Sequence, residues 1–220
     1  VNLFEDFLNL VLPSKCVLCQ VVGSSICVPC QQKHVSGSRA VERFNLQGFA
    51  VCEYNQEAAK LIHEFKEHAA TSLAQQMAQS IAELVPESCK TLVPMPSRRQ
   101  SFSNRGYVPA KVLAVAVAKQ VAKSQKRLIT VSDVLTVSKE VEDQASLSGA
   151  ERRNNLIGAM CTSARASLGS VWLIDDIVTT GSTLQEAKRC LASQGVSVLG
   201  FLAFAETLPK SRQNVHGKPF

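Results

Sequence analysis

The sequence predicts an α/β fold, a mostly parallel sheet with flanking helices, preceded by a small cysteine-rich module. Three observations carry this. From Gly48 onward, short apolar runs alternate with stretches of helical periodicity, the pattern of successive βαβ units. One unit can be read whole: Val171-Trp172-Leu173-Ile174, a polar turn, a helical stretch over about 183–194 closed by Gly195, and a second apolar run over 196–205. Four of the eight cysteines crowd into residues 16–30 as two CxxC pairs, a metal-site spacing.

Taken in chain order, Leu3, Phe4, Phe7, Leu8, Val11 and Leu12 fall near helical spacing and predict a short amphipathic helix ending at Pro13. With the cysteines it forms a first unit over residues 1–38. The polar run QQKHVSGSR at 31–39 is rich in turn formers and marks the boundary. A second unit spans 39–208. It opens with a strand at 50–54, a helix carrying Leu61, Ile62 and Phe65, and another carrying Leu73, Met77, Ile81 and Leu84. Residues 91–94 read as a buried strand, 96–107 as a basic loop, and the Ala/Val-rich stretch to about Val121 as a long helix. The polar, basic residues 209–220 read as a frayed, flexible tail.

Composition narrows the function classes. With 220 residues and 45 % hydrophobic side chains the chain can bury a full core. No apolar run reaches the roughly 18 residues of a membrane span. The first six residues are apolar and acidic and Lys15 is the first positive charge, so no secretory signal is legible and a cytoplasmic protein is expected. A net charge of +6 favours anionic ligands.

The chemistry concentrates at 171–183, VWLIDDIVTTGST. Ligands of open α/β sheets bind beyond the carboxyl ends of strands, where Asp175 and Asp176 are expected to emerge and accept hydrogen bonds from sugar hydroxyls. Thr179, Thr180, Gly181, Ser182 and Thr183 then supply small hydroxyl side chains and a glycine that lets the backbone approach an anion, just ahead of a helix with free N–H groups. Thr183 and Glu186 have the spacing of a capping box. A capped helix without a ligand is the plainer alternative. A Walker-type site is excluded, since no GxxxxGK[ST] stretch occurs.

VWLIDDIVTTGST resembles the PRPP-binding motif of type I phosphoribosyltransferases. With LIHEFKEH at 61–68, VPMPSRR at 93–99, RGY at 105–107, and Gln144, Leu147, Arg152 and Asn155, the chain resembles the ComF competence family. The resemblance implies a type I phosphoribosyltransferase-like sheet and a phosphoribosyl ligand bound with Mg²⁺. It places Asp175 and Asp176 on the ribose hydroxyls, 179–183 around the 5-phosphate, and Pro96, Ser97, Arg98 and Arg99 at the diphosphate. A departing diphosphate needs cations, and Arg98, Arg99 and Arg105 are the nearest in sequence. Gln144, Arg152 and Asn155 reach the ligand on the family reading and cap a helix otherwise. Val108 and Pro109 stand where the family tends to have Asn-Gln.

Cys16, Cys19, Cys27 and Cys30 suit one tetrahedral Zn²⁺ of structural role; an Fe–S cluster or redox exchange are the alternatives, and His34 is near enough to replace one cysteine. Cys52, Cys89, Cys161 and Cys190 read as buried free thiols. Two function classes follow: a transferase moving a phosphoribosyl group from PRPP, or a non-catalytic competence protein binding single-stranded DNA or a helicase partner in DNA uptake. The second draws on Lys119, Lys123, Lys126 and Arg127 at one helix end. An aromatic content of 5 % weighs against base stacking.

Overall fold

The structure is a computed structural model that describes residues 14–68, 71–97, 105–138, 158–163 and 165–208. The amino-terminal helix, the tail, Arg98, Arg99, Gln144, Leu147, Arg152 and Asn155 lie outside the described residues.

Helix α1 (Val28–His34) follows the first CxxC pair and begins with a proline in its first turn, where a missing N–H costs nothing. Strands β1 (Arg39–Arg43) and β2 (Leu46–Glu53) pair antiparallel. Phe44 and Asn45 between them both take positive φ, 50° and 56°, the two-residue turn whose twist matches a hairpin. β1 lies where the sequence predicts the boundary run to end, and β2 begins four residues earlier than expected. A five-residue edge strand with one buried side chain, Val41, offers too little alternation to read.

Helices α2 (Gln56–His68) and α3 (Thr71–Ala82) lead to β3 (Thr91–Pro94), buried at all four positions. Helix α4 (Pro109–Gln125) connects to β4 (Thr130–Val131). A separate antiparallel ribbon pairs β5 (Leu135–Val137) with β6 (Met160–Thr162). The chain then runs through β7 (Ser170–Val178), α5 (Ser182–Ala192) and β8 (Ser197–Glu206).

The main sheet has the order β1-β2-β8-β7-β3-β4, parallel except at β1. One core layer joins α3 and α4 to one face through Leu73, Met77, Leu113 and Val117. The other joins α5 through Leu184, Ala187 and Leu191. From β3 the chain crosses by α4 to β4 on one side; from β7 it crosses by α5 to β8 on the other. The winding therefore reverses between β3 and β7, which makes their carboxyl ends a topological switch point where such sheets open a crevice.

The cysteine module is docked on α3. Gln76 receives the Ile26 N–H at 2.6 Å and donates to the Ile26 carbonyl at 2.8 Å, and Ser25 and Ser72 hydroxyls meet at 2.7 Å. Cys16, Ile26, Cys30 and Val35 share a continuous core with Leu73 and Met77. Among the described residues no helix is long and apolar enough to cross a membrane.

Candidate functional site

The switch point gathers the motif residues. Pro94 pairs with Ile174, and the Met95 N–H donates to the Ile174 carbonyl at 2.9 Å. Met95, Pro96 and Ser97 therefore leave the sheet beside Asp175 and Asp176. β7 does not stop there: it stays paired with β8 as far as Val178 and Glu206. The expected turn at Asp175 is thus replaced by strand, because β8 continues past the end of β3 and keeps β7's backbone groups satisfied.

Asp176 is 4 % exposed, and Lys66 Nζ, from the last turn of α2, lies 2.5 Å from its Oδ2. The contact is an ion pair without hydrogen-bond alignment, and Oδ2 has no hydrogen-bond partner. Asp175 is half-buried and its Oδ1 accepts the Asp176 N–H at 2.9 Å. Burial first, then the adjacent Asp176 carboxylate, push the Asp175 carboxyl well above the ordinary range, with Lys66 acting in the opposite sense.

The loop after β7 is built for close approach. Gly181 is the N-cap of α5 at φ +84° and has no side chain to cap the helix. The expected capping box does not form: with the helix starting at Ser182, Glu186 stands in its second turn. Its Oε1 instead accepts the N–H groups of Gly158 and Met160 at 2.9 and 3.3 Å, tying α5 to the β5–β6 ribbon. The Ser182 N–H is taken by Thr180 Oγ1 at 3.4 Å, which leaves those of Thr183 and Leu184 to face an anion. Thr179, Thr180 and Thr183 are exposed, and Thr180 Oγ1 meets Ser182 Oγ at 3.0 Å.

Arg43 holds this loop from behind and left no trace in the motif. Its Nε donates to the Thr179 carbonyl at 2.8 Å; its Nη2 donates to Glu206 Oε2 at 2.8 Å and to the Thr207 carbonyl at 2.7 Å. A Cβ at Gly181 would lie 2.6 Å from that of Arg43. Glycine is required here twice over, by φ and by space.

Of the expected diphosphate cations, Arg105 lies within the described residues. Arg105 is bound to Glu67 of α2, with Nη2 2.8 Å and Nε 3.3 Å from Oε1, so its charge is committed to that carboxylate. Tyr107 hydroxyl bonds to the carbonyls of Phe65 and Lys66, each at 2.7 Å. The RGY turn is thus the fastening of the α2 carboxyl end. Arg127, assigned from sequence to a basic helix end, spends its guanidinium on the carbonyls of Cys89, Val85 and Pro86. A cavity of about 900 Å³ between α3 and α4 is lined by Ala74, Val112, Val115, Lys111, Lys119 and Lys123 among others, away from the phosphate loop.

The ligand atoms of Cys16, Cys19, Cys27 and Cys30 all lie within 4.8 Å of one another, and His34 is not among them. Cys19 and Cys27 sulfurs are 3.5 Å apart, and the Cys27 N–H points at Cys16 Sγ at 3.4 Å. A tetrahedral metal–thiolate site with bonds of about 2.3 Å has sulfurs about 3.8 Å apart, so the cluster fits such an ion. Burial acts to raise the Cys16 thiol, yet N–H groups of Cys27, Cys19 and Leu18 lower it to about 6; Cys30 is pushed up to about 12, first by its bond with Cys27 and then by burial. Cys52, Cys89 and Cys190 are buried as expected, whereas Cys161 is exposed, on the outer side of the β5–β6 ribbon.

No protein-family model matches the chain, and no curated protein matches it. Solved structures similar to it include the orotate phosphoribosyltransferase of Francisella tularensis, 15 % identical over 79 % of this chain and 67 % of that one, with a TM-score of 0.40. An adenine phosphoribosyltransferase of Thermoanaerobacter pseudethanolicus is 12 % identical over 81 % of this chain and 90 % of that one, TM-score 0.40. The UMP synthase of Leishmania donovani is 16 % identical over 68 % of this chain, which spans 24 % of that protein, TM-score 0.38.

Proposed function

We propose that the crevice between β3 and β7 binds a phosphoribosyl ligand, PRPP or a relative of it. The observation that carries this is the reversal of winding at the strand ends that bear Asp175, Asp176 and the glycine-opened loop 179–183. The 5-phosphate takes the free N–H groups at the start of α5 and the hydroxyls of Thr179, Thr180, Ser182 and Thr183. Asp175 and Asp176 accept the ribose hydroxyls. Pro96 and Ser97, with the arginines that follow, flank the diphosphate, and Gln144, Arg152 and Asn155 contact the ligand. Asp175 and Asp176 would be the residues to hold a Mg²⁺ bound with the ligand, and the ion would supply charge neutralisation for the diphosphate.

Transfer consists of breaking the ribose C1–O bond, with the electron pair leaving on diphosphate, while an acceptor nitrogen bonds C1. Calorimetric titration of PRPP and ribose 5-phosphate, each with and without Mg²⁺, tests the binding; diphosphate release across a panel of nucleobases tests the transfer. Micromolar PRPP binding that is lost in Asp176→Ala supports the site, and absence of binding by either ligand overturns it. A non-catalytic competence role on single-stranded DNA, or with a helicase, is the second reading, favoured by Lys119 and Lys123 in the cavity lining, where Lys111 is paired with Asp133. It requires DNA affinity that falls steeply with salt and a protein silent in diphosphate release.

We also propose that the four cysteines hold a structural zinc ion, closing residues 14–38 into a module that docks on α3.

A further inference from the structure

We infer, on the phosphoribosyl reading of the crevice, that Lys66 is the cation that receives the diphosphate arm of the ligand. The sequence assigns this charge to the arginines of the 96–107 loop. Of those, Arg105 lies in the described residues and is bridged to Glu67, outside the motif. Arg43, the other guanidinium at the crevice, is 9 % exposed and held by Glu206 and two carbonyls. Lys66 alone of these three touches a motif carboxylate, at 2.5 Å from Asp176 Oδ2.

Its placement is built. Phe65, the preceding residue, is fully buried. The carbonyls of Phe65 and Lys66 are both bonded by the Tyr107 hydroxyl, and the following Glu67 is bridged to Arg105. The Lys66 ammonium stands at the carboxyl end of α2, where the helix dipole favours a cation. An ammonium carries three N–H donors. Asp176 occupies one side of it, and with the side chain 27 % exposed a ligand can reach its remaining donors.

A hydroxyl bound at Asp176 Oδ2 would share that oxygen with the Lys66 ammonium. When the sugar takes the Asp176 carboxylate, the ammonium loses part of its partner and gains the anionic oxygens that accompany the sugar. A cation exchanged from an internal carboxylate to the ligand gives its strongest interaction to the most highly charged part of that ligand. Lys66 therefore discriminates a ligand with a diphosphate from one without.

The test compares PRPP with ribose 5-phosphate, both with Mg²⁺, in titrations of the wild type, Lys66→Met and Lys66→Arg. The readout is the ratio of the two affinities within one preparation, so a partly unfolded sample cancels. Lys66→Met should lower the PRPP preference about ten-fold or more, and Lys66→Arg should keep most of it. Lys66→Gln, which retains a donor for Asp176, gives the same readout if the methionine variant is not recovered folded. An unchanged ratio in the neutral variants, whether both ligands weaken alike or neither does, overturns the role of Lys66 while leaving the crevice standing. A wild type that binds neither ligand overturns the phosphoribosyl reading and this assignment with it.

Discussion

Arg43 shows how a single side chain fixes a loop that a motif only names. Its guanidinium joins Thr179, Glu206 and Thr207, and its stem fills the space where Gly181 lacks a side chain. Gly181→Ala should cost about 2 kcal/mol or more from the left-handed backbone and the Arg43 collision together, read by chemical denaturation. Arg43→Ala should cost about 2–3 kcal/mol, because it leaves the buried Glu206 with only the longer Arg39 contact at 3.8 Å, and should weaken ribose 5-phosphate as much as PRPP. Nothing in the sequence announces this residue: Thr179 lies 136 positions further on, and only the pairing of β1 with β2 and β2 with β8 brings the two together. Asp175 gives a pH test. Its carboxyl stands well above its ordinary value of 3.8, so its contribution to stability is complete below that value and declines as pH rises through the folded-state pKa. Asp175→Asn should raise Tm of the unliganded protein at neutral pH and flatten its fall across that window; an unchanged profile would sink the argument.

Between elements, two side chains serve as fastenings. Glu186 is 3 % exposed and ties α5 to the ribbon through the N–H groups of Gly158 and Met160, with Arg189 closing its other side. Its carboxyl is held below the usual range: burial opposes this, and the Arg189 and backbone bonds outweigh it. The stability it adds is present above the unfolded pKa and lost as pH falls through the folded one. Glu186→Gln should speed amide exchange at Met160 and remove that acid-side loss. Tyr107→Phe should free the α2 carboxyl end, costing about 1–2 kcal/mol. The sequence made the helices legible because their apolar residues recur at helical spacing, and it made 91–94 legible as a continuous apolar run. It misplaced the end of β7 because two aspartates look like a turn; pairing with β8, 28 residues on in register, decides otherwise. It misread Glu186 because the N-cap is Gly181 and not Thr183, and two residues of difference move a side chain from the cap to the second turn.

At the scale of the whole molecule, the cysteine module and the sheet domain share one core, since Cys16 and Cys30 belong to the cluster that contains Met77 and Val117. On the zinc proposal, removing the metal with a chelator, or by Cys30→Ser, should therefore lower the unfolding temperature of the whole chain in one transition, by calorimetry, together with release of one zinc by elemental analysis. Two separate transitions would show the module to be energetically independent. The strand order has one more effect. β8 lies between β2 and β7, so a nascent chain that has reached Gln194 presents two apolar strands with open edges. The Arg43 clasp is also missing, since Glu206 and Thr207 are yet to be made. A stop codon at position 197 should accordingly yield inclusion bodies rather than a weakened protein, and early chaperone capture should concentrate on chains stalled just before that point.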